Sequence, residues 1–215
     1  MSDPVEITYV TSSPFKRAEN QVFYEECSLS DGTPVSDRFV FAMVNNTIKE
    51  TLEVRLEEIV RAEVKGAYAL LRRPCIVEHA GLVFDDYAKD GYPGGLTKPM
   101  WNTLNRERFL TETHSGGRGA SAVAVIGYCD GKTVQVFNGT THGVLSDEPR
   151  GESEFYWDAI FVPDGQGGES LTYAEIVQRD GVSRKMVEFS QSSKAMIDFL
   201  EWRLRNQPGL WAGSD

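Results

Sequence analysis

Long apolar runs are missing from this 215-residue chain. None approaches the roughly 18 residues that a membrane span requires, so no membrane partner is expected. Cysteine is scarce. Cys27, Cys75 and Cys129 are odd in number and widely spaced, which argues against a disulfide framework or a Cys-x-x-Cys zinc site and points to a reducing compartment. The opening residues, MSDPVEITYV, lack a basic region and a long apolar core, so the expectation is a cytoplasmic protein without a signal peptide. Positive charge is in deficit: 22 Lys and Arg against 32 Asp and Glu give a net charge of −10, with no Lys/Arg run. That excludes a general nucleic-acid binder, which carries a basic face. Small phosphorylated ligands stay open, because one or two placed cations and a metal suffice for them. Histidine is as rare as cysteine, and His114 and His142 have no partner at metal-ligand spacing. GGRGAS (116–121) lacks the Lys-Ser/Thr ending of a phosphate-binding loop and reads as a flexible loop; neither the Rossmann spacing nor a Gly-x-Ser-x-Gly elbow occurs. There is no repeat and no low-complexity segment.

What is present is an ordinary globular composition, 40% hydrophobic and 25% charged, in a length that suits one domain over residues 1–215. VEITYV (5–10) reads as a strand, and Ser13-Pro14 then makes a capping start for a helix over about 15–27. RFVFAMV (38–44) reads as the next strand. From Leu52 to Leu71 apolar residues recur at helical spacing, the clearest amphipathic helix in the chain. CIVEHAGLVFDDY (75–87) reads as two short strands around Gly81, followed by a Gly/Pro-rich turn and a short helix near 100–110. Strands at 121–128 and 132–138 pair across CDGK as a hairpin, more strand is expected at 154–162, and a last helix at about 190–205. The pattern predicts an α/β fold with a mixed sheet, one domain with a cleft.

One stretch, ESEFYWDAIFVPDG (152–165), sets Phe155, Tyr156 and Trp157 beside Asp158 just before a turn. Aromatic residues suit a half-buried strand, which makes a core strand one reading. The other is a platform on which a planar ligand stacks while the carboxylate reads its edge.

Three separated stretches, taken in order, resemble the inosine triphosphate pyrophosphatase family, enzymes that hydrolyse non-canonical purine nucleoside triphosphates. Thr11, Ser13 and Lys16 match the family's Thr-x-Asn-x-x-Lys. Glu78, Gly81-Leu82, Asp85 and Tyr92-Pro93-Gly94 follow its central acidic motif, and Pro149-Arg150-Gly151, Phe155 to Phe161, Pro163-Asp164-Gly165 and Thr172 to Glu175 follow its third. The resemblance implies a mixed twisted sheet flanked by helices, in two lobes around a central nucleotide-binding cleft. It implies a nucleoside triphosphate as substrate, attacked by water at the α-phosphorus to give a monophosphate and pyrophosphate, with Mg2+ as cofactor and a homodimer as the assembly. Lys16, in the first turn of a helix capped by Ser13, would meet the phosphates beside Thr11 and the N-terminal amides. Glu78 would hold the metal, with Glu53 as second ligand and Glu50 as its rival. Phe155 would stack on the base, while Trp157 and Asp158 shape its pocket.

Departures from the family pattern bear on specificity and on catalysis. His79 stands where the family has aspartate; imidazole is a poor magnesium ligand but can take a proton, with Glu78 beside it to stabilise the imidazolium. His79, Lys16 and Asp85 are the catalytic candidates. Gln191 and Ser192 replace the family's His-Arg, Lys185 falls only approximately on its base-reading lysine, and Tyr156 replaces a glycine. The expectation is a pyrophosphatase of altered base preference; the alternative is a catalytically weak nucleotide-binding or regulatory protein on the same scaffold.

Overall fold

The β-rich segments assemble into a single six-stranded sheet. In the computed structural model, which describes residues 4–49, 51–113, 117–152 and 155–206, the strands are β1 (Val5–Val10), β2 (Phe39–Val44), β3 (Cys75–Phe84), β4 (Gly119–Cys129), β5 (Val134–Leu145) and β6 (Phe161–Pro163). Their order is β2-β1-β3-β4-β5-β6. β1 runs parallel to β2 and β3, whereas β3 through β6 pair antiparallel. The described helices are α1 (Pro14–Glu26), α2 (Val35–Arg38), α3 (Leu56–Leu71), α4 (Thr97–Thr103), α5 (Arg106–Thr113), α6 (Tyr173–Arg184) and α7 (Gln191–Arg205).

Strand alternation divides the core. Ile7, Tyr9, Ile76 and Ile126 pack on one face with Phe23 of α1 and Phe199 of α7. Val10, Val77 and Val125 pack on the other with Ile59, Val60, Val64 and Ala67 of α3. At the antiparallel end Leu82, Phe84, Trp157, Phe161 and Tyr173 form a third apolar cluster. Consecutive residues of β3 therefore serve opposite faces, and residues 78 and 79 inherit that division.

Several expectations are corrected. Residues 75–84 form one ten-residue strand rather than two. Gly81 is there for close approach and not for a turn, since a Cβ would lie 2.3 Å from the Gly94 carbonyl oxygen. The helix expected from Leu52 starts at Leu56. Arg55 before it is extended, the Val54 carbonyl accepts from Gly95 N at 2.8 Å, and Leu52 is exposed. The helix near 100–110 is two helices, α4 and α5. The hairpin strands are longer than expected, and β4 begins inside the GGRGAS stretch.

The largest correction concerns 154–162. Phe155 to Ile160 close a 3₁₀ turn, Tyr156–Ala159, through Asp158 N to Phe155 O (3.1 Å) and Ile160 N to Trp157 O (3.0 Å). Only Phe161–Pro163 joins the ladder. The aromatic rings are held by packing on one another, so their backbone does not need a strand partner. α2, α6 and the π-helical turn Lys185–Phe189 after α6 had no sequence-based expectation. Gly181, at φ 86° and ψ 167°, breaks α6 in a left-handed conformation that suits glycine.

Candidate active site

A cleft of about 930 Å³, including its open mouth, lies beyond the carboxyl ends of β1 and β2 and beside the middle of β3. This is where ligands bind in open α/β sheets. Thr11, Ser13 and Lys16 line one side, Asn46 to Ile48 and Lys98 another, Glu63, Glu78 and His79 the floor, and Phe155 to Trp157 the far wall.

Local sequence builds the first side. Ser13 caps α1, its Oγ accepting from Lys16 N at 3.3 Å, and Pro14 follows at the first helical position. Thr11 Oγ1 accepts from Ser13 N at 3.1 Å, which folds the loop against the helix start. The Lys16 ammonium donates to the Glu78 main-chain oxygen and so leans over β3.

On β3 the neighbours part company. The Glu78 carboxylate accepts from Tyr9 OH (2.5 Å) and Ser192 Oγ (2.8 Å) on the α1/α7 side. Burial, then the adjacent Glu78 charge, pushes the Tyr9 hydroxyl well above the ordinary phenol range. His79 points the other way, its Nε2 2.7 Å from Oε2 of Glu63 on α3. The carboxylate expected to support the imidazole was Glu78. The structure pairs it with Glu63 instead, because adjacent residues of an extended strand face opposite sides.

The far wall is aromatic, and the residues behind it are buried. Phe155 meets Phe15, Tyr156 and Trp157 edge-on, at centroid distances of 5.8, 5.4 and 6.0 Å. Behind it Lys185, 2% exposed, sits 5.0 Å from the Phe155 ring centre. It bonds Asp158 Oδ2 at 2.6 Å and Glu19 Oε1 at 2.8 Å. Burial opposes the lysine charge, but the two carboxylates outweigh it and hold the ammonium above the ordinary lysine range. Two acids share one base here. Burial accordingly pushes Asp158 up to about 6, with Lys185 pulling it down and Glu19 adding to the rise. Asp158 Oδ1 is buried without a hydrogen-bond partner.

The structure thus brings Thr11, Ser13, Lys16, Glu78, His79, Phe155 and Trp157 to one cleft, with Asp158 and Lys185 directly behind it. Others lie apart from it. Gln191 is buried and accepts from Tyr173 OH at 3.1 Å, in the layer behind Trp157. The Glu53 carboxylate folds back onto Val54 N (2.7 Å) and Arg55 N (3.2 Å), beside a separate hollow with Tyr87 and Tyr92. Asp85 is exposed at the end of β3, against Gly119. His142 is on β5, 3.0 Å from Ser121 Oγ, and Glu50 and His114 lie outside the described residues. Tyr9, Glu19, Glu63 and Ser192 went unassigned in the sequence. Only Glu63 left a signal there: an acid on the apolar stripe Leu56, Ile59, Val60, Val64, Ala67 of α3.

Comparison with known proteins shows the family. The Ham1 family profile matches residues 7–202. The chain belongs to the Ham1 family. Among Ham1-family relatives, the dITP/XTP pyrophosphatase of Methanopyrus kandleri is 35% identical over 156 residues, 72% of this chain and 78% of its own. The inosine triphosphate pyrophosphatase of Kluyveromyces lactis is 32% identical over 181 residues, 81% and 86% of the two chains. The fold is that of the Ham1 proteins of Staphylococcus aureus (TM-score 0.64, 21% identity, 92% of this chain and 98% of that one) and Coxiella burnetii (TM-score 0.65, 18% identity, 92% and 99%). No described helix is long and apolar enough to cross a membrane.

Proposed function

We propose that this chain hydrolyses a purine nucleoside triphosphate to the monophosphate and pyrophosphate. The observation that carries the reading is the union, in one cleft, of an open cationic helix start with an aromatic wall backed by Lys185 and Asp158. Phosphates would lie against Lys16 and the first amides of α1, which neutralise them locally in an acidic protein. The base would lie on Phe155. There the unpartnered Asp158 Oδ1 accepts from a ring N–H, and Lys185, with one of its three donors still to spend, faces a keto oxygen. That edge is the edge of a 6-oxo purine. Gln191 and Ser192 are engaged by Tyr173 and Glu78, so no long cationic side chain from that turn reads the base. Any shift in base preference from the relatives would then fall within the 6-oxo purines.

Hydrolysis needs water directed at the α-phosphorus and charge absorbed as the pyrophosphate leaves. Lys16 supplies a fixed cation for that charge. His79, its ring held by Glu63, is the polar group on the cleft floor placed to orient the attacking water. Among the described residues no three His, Cys, Asp or Glu side chains gather as a metal cluster. A triphosphate's ion needs only one or two protein carboxylates, and Glu78, with lone pairs beyond its two hydroxyl bonds, fits that use. Magnesium bound there would withdraw charge from the phosphate oxygens. Glu53 would have to release its own backbone amides to join it.

The test is pyrophosphate release, with magnesium, from a panel of natural and modified purine and pyrimidine triphosphates. Turnover confined to 6-oxo purines is expected; turnover of adenine or pyrimidine nucleotides alone would sink the assignment. Tight binding without release would favour a regulatory nucleotide-binding protein on this scaffold. By family resemblance we also place the protein in the cytoplasm as a homodimer. A sedimentation run showing only monomer would remove the second statement.

A further inference from the structure

His79 and Glu63 meet on the cleft floor, on the face of β3 opposite to the Glu78 carboxylate, and neither belongs to the oxygen-ligand set considered above. Glu63 is 6% exposed, an acid set into the apolar stripe of α3. A carboxylate is kept there only with a partner of its own, because burying an unpaired charge is costly. Its partner is a nitrogen donor, Nε2 of His79, at 2.7 Å, and both side chains border the cleft. Two adjacent ligands that each stand about 2.0–2.2 Å from one ion are roughly 3 Å apart or more, so the pair, now joined by a hydrogen bond, has to open by a few tenths of an ångström to admit one.

We infer that Glu63 and His79 form a nitrogen–oxygen ligand pair for a first-row transition divalent cation that arrives with the triphosphate. The inference rests on the triphosphate reading and adds to it the class of ion. Carboxylate, carbonyl and water suit magnesium, whereas imidazole suits the later divalent metals. Two protein donors are few, so phosphate oxygens and water complete the shell, as nucleotide-borne ions commonly arrange. Binding would replace the Nε2–Oε2 hydrogen bond, releasing its proton to solvent, and would leave Glu78 with its own two hydroxyl donors on the far side of the strand.

Cobalt(II) serves as the probe. It is titrated into the full chain with a non-hydrolysable α,β-methylene purine triphosphate; its visible absorption is compared with that of cobalt on the analogue alone, and magnesium is the competitor. The wild type is expected to change the cobalt spectrum. His79→Asp should abolish that change and lower the cobalt-over-magnesium preference by about tenfold or more. Glu63→Gln, which keeps shape and removes charge, should weaken cobalt by a similar factor and covers the case in which the first variant folds poorly. A spectrum identical to that of the free cobalt–analogue complex, or a preference unmoved in His79→Asp, would reduce the pair to a hydrogen bond and overturn the inference. Analogue binding with magnesium is measured in parallel. If it occurs without a cobalt response, only the ligand pair falls; if the analogue binds with neither ion, the triphosphate reading falls and takes this one with it.

Discussion

At the end of the cleft proposed to take the phosphates Thr11, Ser13 and Lys16 stand on a loop and a helix start, and Ser13 and Lys16 are only partly buried. At the base end Trp157, Asp158 and Lys185 are each about 2% exposed, and one lysine is shared by two acids. Water screens charges at the first end and is excluded at the second, so equal errors of placement have unequal costs. An open cation attracts any polyphosphate and adapts to it. A dry donor–acceptor set penalises each mismatch, because a wrong edge leaves a buried group unpaired. On the proposed function, affinity would belong mainly to the first end and discrimination to the second.

The sharpest way to break this contrast is Lys185→Met. It strands Asp158 and Glu19 as uncompensated carboxylates and should cost about 3–5 kcal/mol of stability, read by denaturant unfolding. A loss below about 1 kcal/mol would mean that water reaches the triad and the base end is not dry.

Lys16→Ala comes next. Losing one charged contact of about 1.5–3 kcal/mol should lower kcat/KM about tenfold to a hundredfold. The factor should be the same for every base tested, because on the proposed reading the ammonium contacts the phosphates and not the base. A base-dependent factor would show that the two ends are not separable.

A pH series sharpens the contrast further. With its carboxyl raised to about 6, Asp158 costs stability while ionised; the cost is relieved as pH falls through 6 and is gone below the ordinary aspartate range. Wild type should therefore gain stability relative to Asp158→Asn as pH drops from 7 to 5, in paired melts. Discrimination among bases should loosen over the same interval, since a protonated Asp158 no longer offers the same acceptor. A flat difference between the two proteins would contradict the assignment.

The smallest effect is expected of Ser192→Ala. Glu78 keeps the Tyr9 hydroxyl and loses one neutral donor, worth about 1 kcal/mol in unfolding. A much larger loss would make Ser192 a principal anchor of the carboxylate.

What could be read from the sequence follows from range of interaction. The start of α1 was legible because its geometry is local: Ser13, Pro14 and Lys16 are a cap, the first helical residue and a member of the first turn. The aromatic motif announced a platform, but alternating large residues look alike in a strand and in a 3₁₀ turn stabilised by ring packing. Partners across long separations were not legible. Tyr9 and Ser192 meet Glu78 from 69 and 114 residues away, and Glu19 meets Lys185 across 166. Glu63 was half legible, since its place on the apolar stripe is local and its partner His79 is not. The strand boundary at Gly81 misled for a related reason: a glycine needed for closeness to Gly94 is indistinguishable, in one dimension, from a glycine needed for a turn.

The alternation of Glu78 and His79 has an evolutionary corollary. A single peptide unit separates two chemical compartments, one walled by α1 and α7 and the other by α3. Replacement at 79 can be compensated by one change on α3, without disturbing the hydroxyls that hold 78. A lineage could thus exchange the pair at 79 and on α3 in two substitutions while the Glu78 side stayed under unchanged selection. The strand acts as a partition that lets the two halves of an active site drift at different speeds.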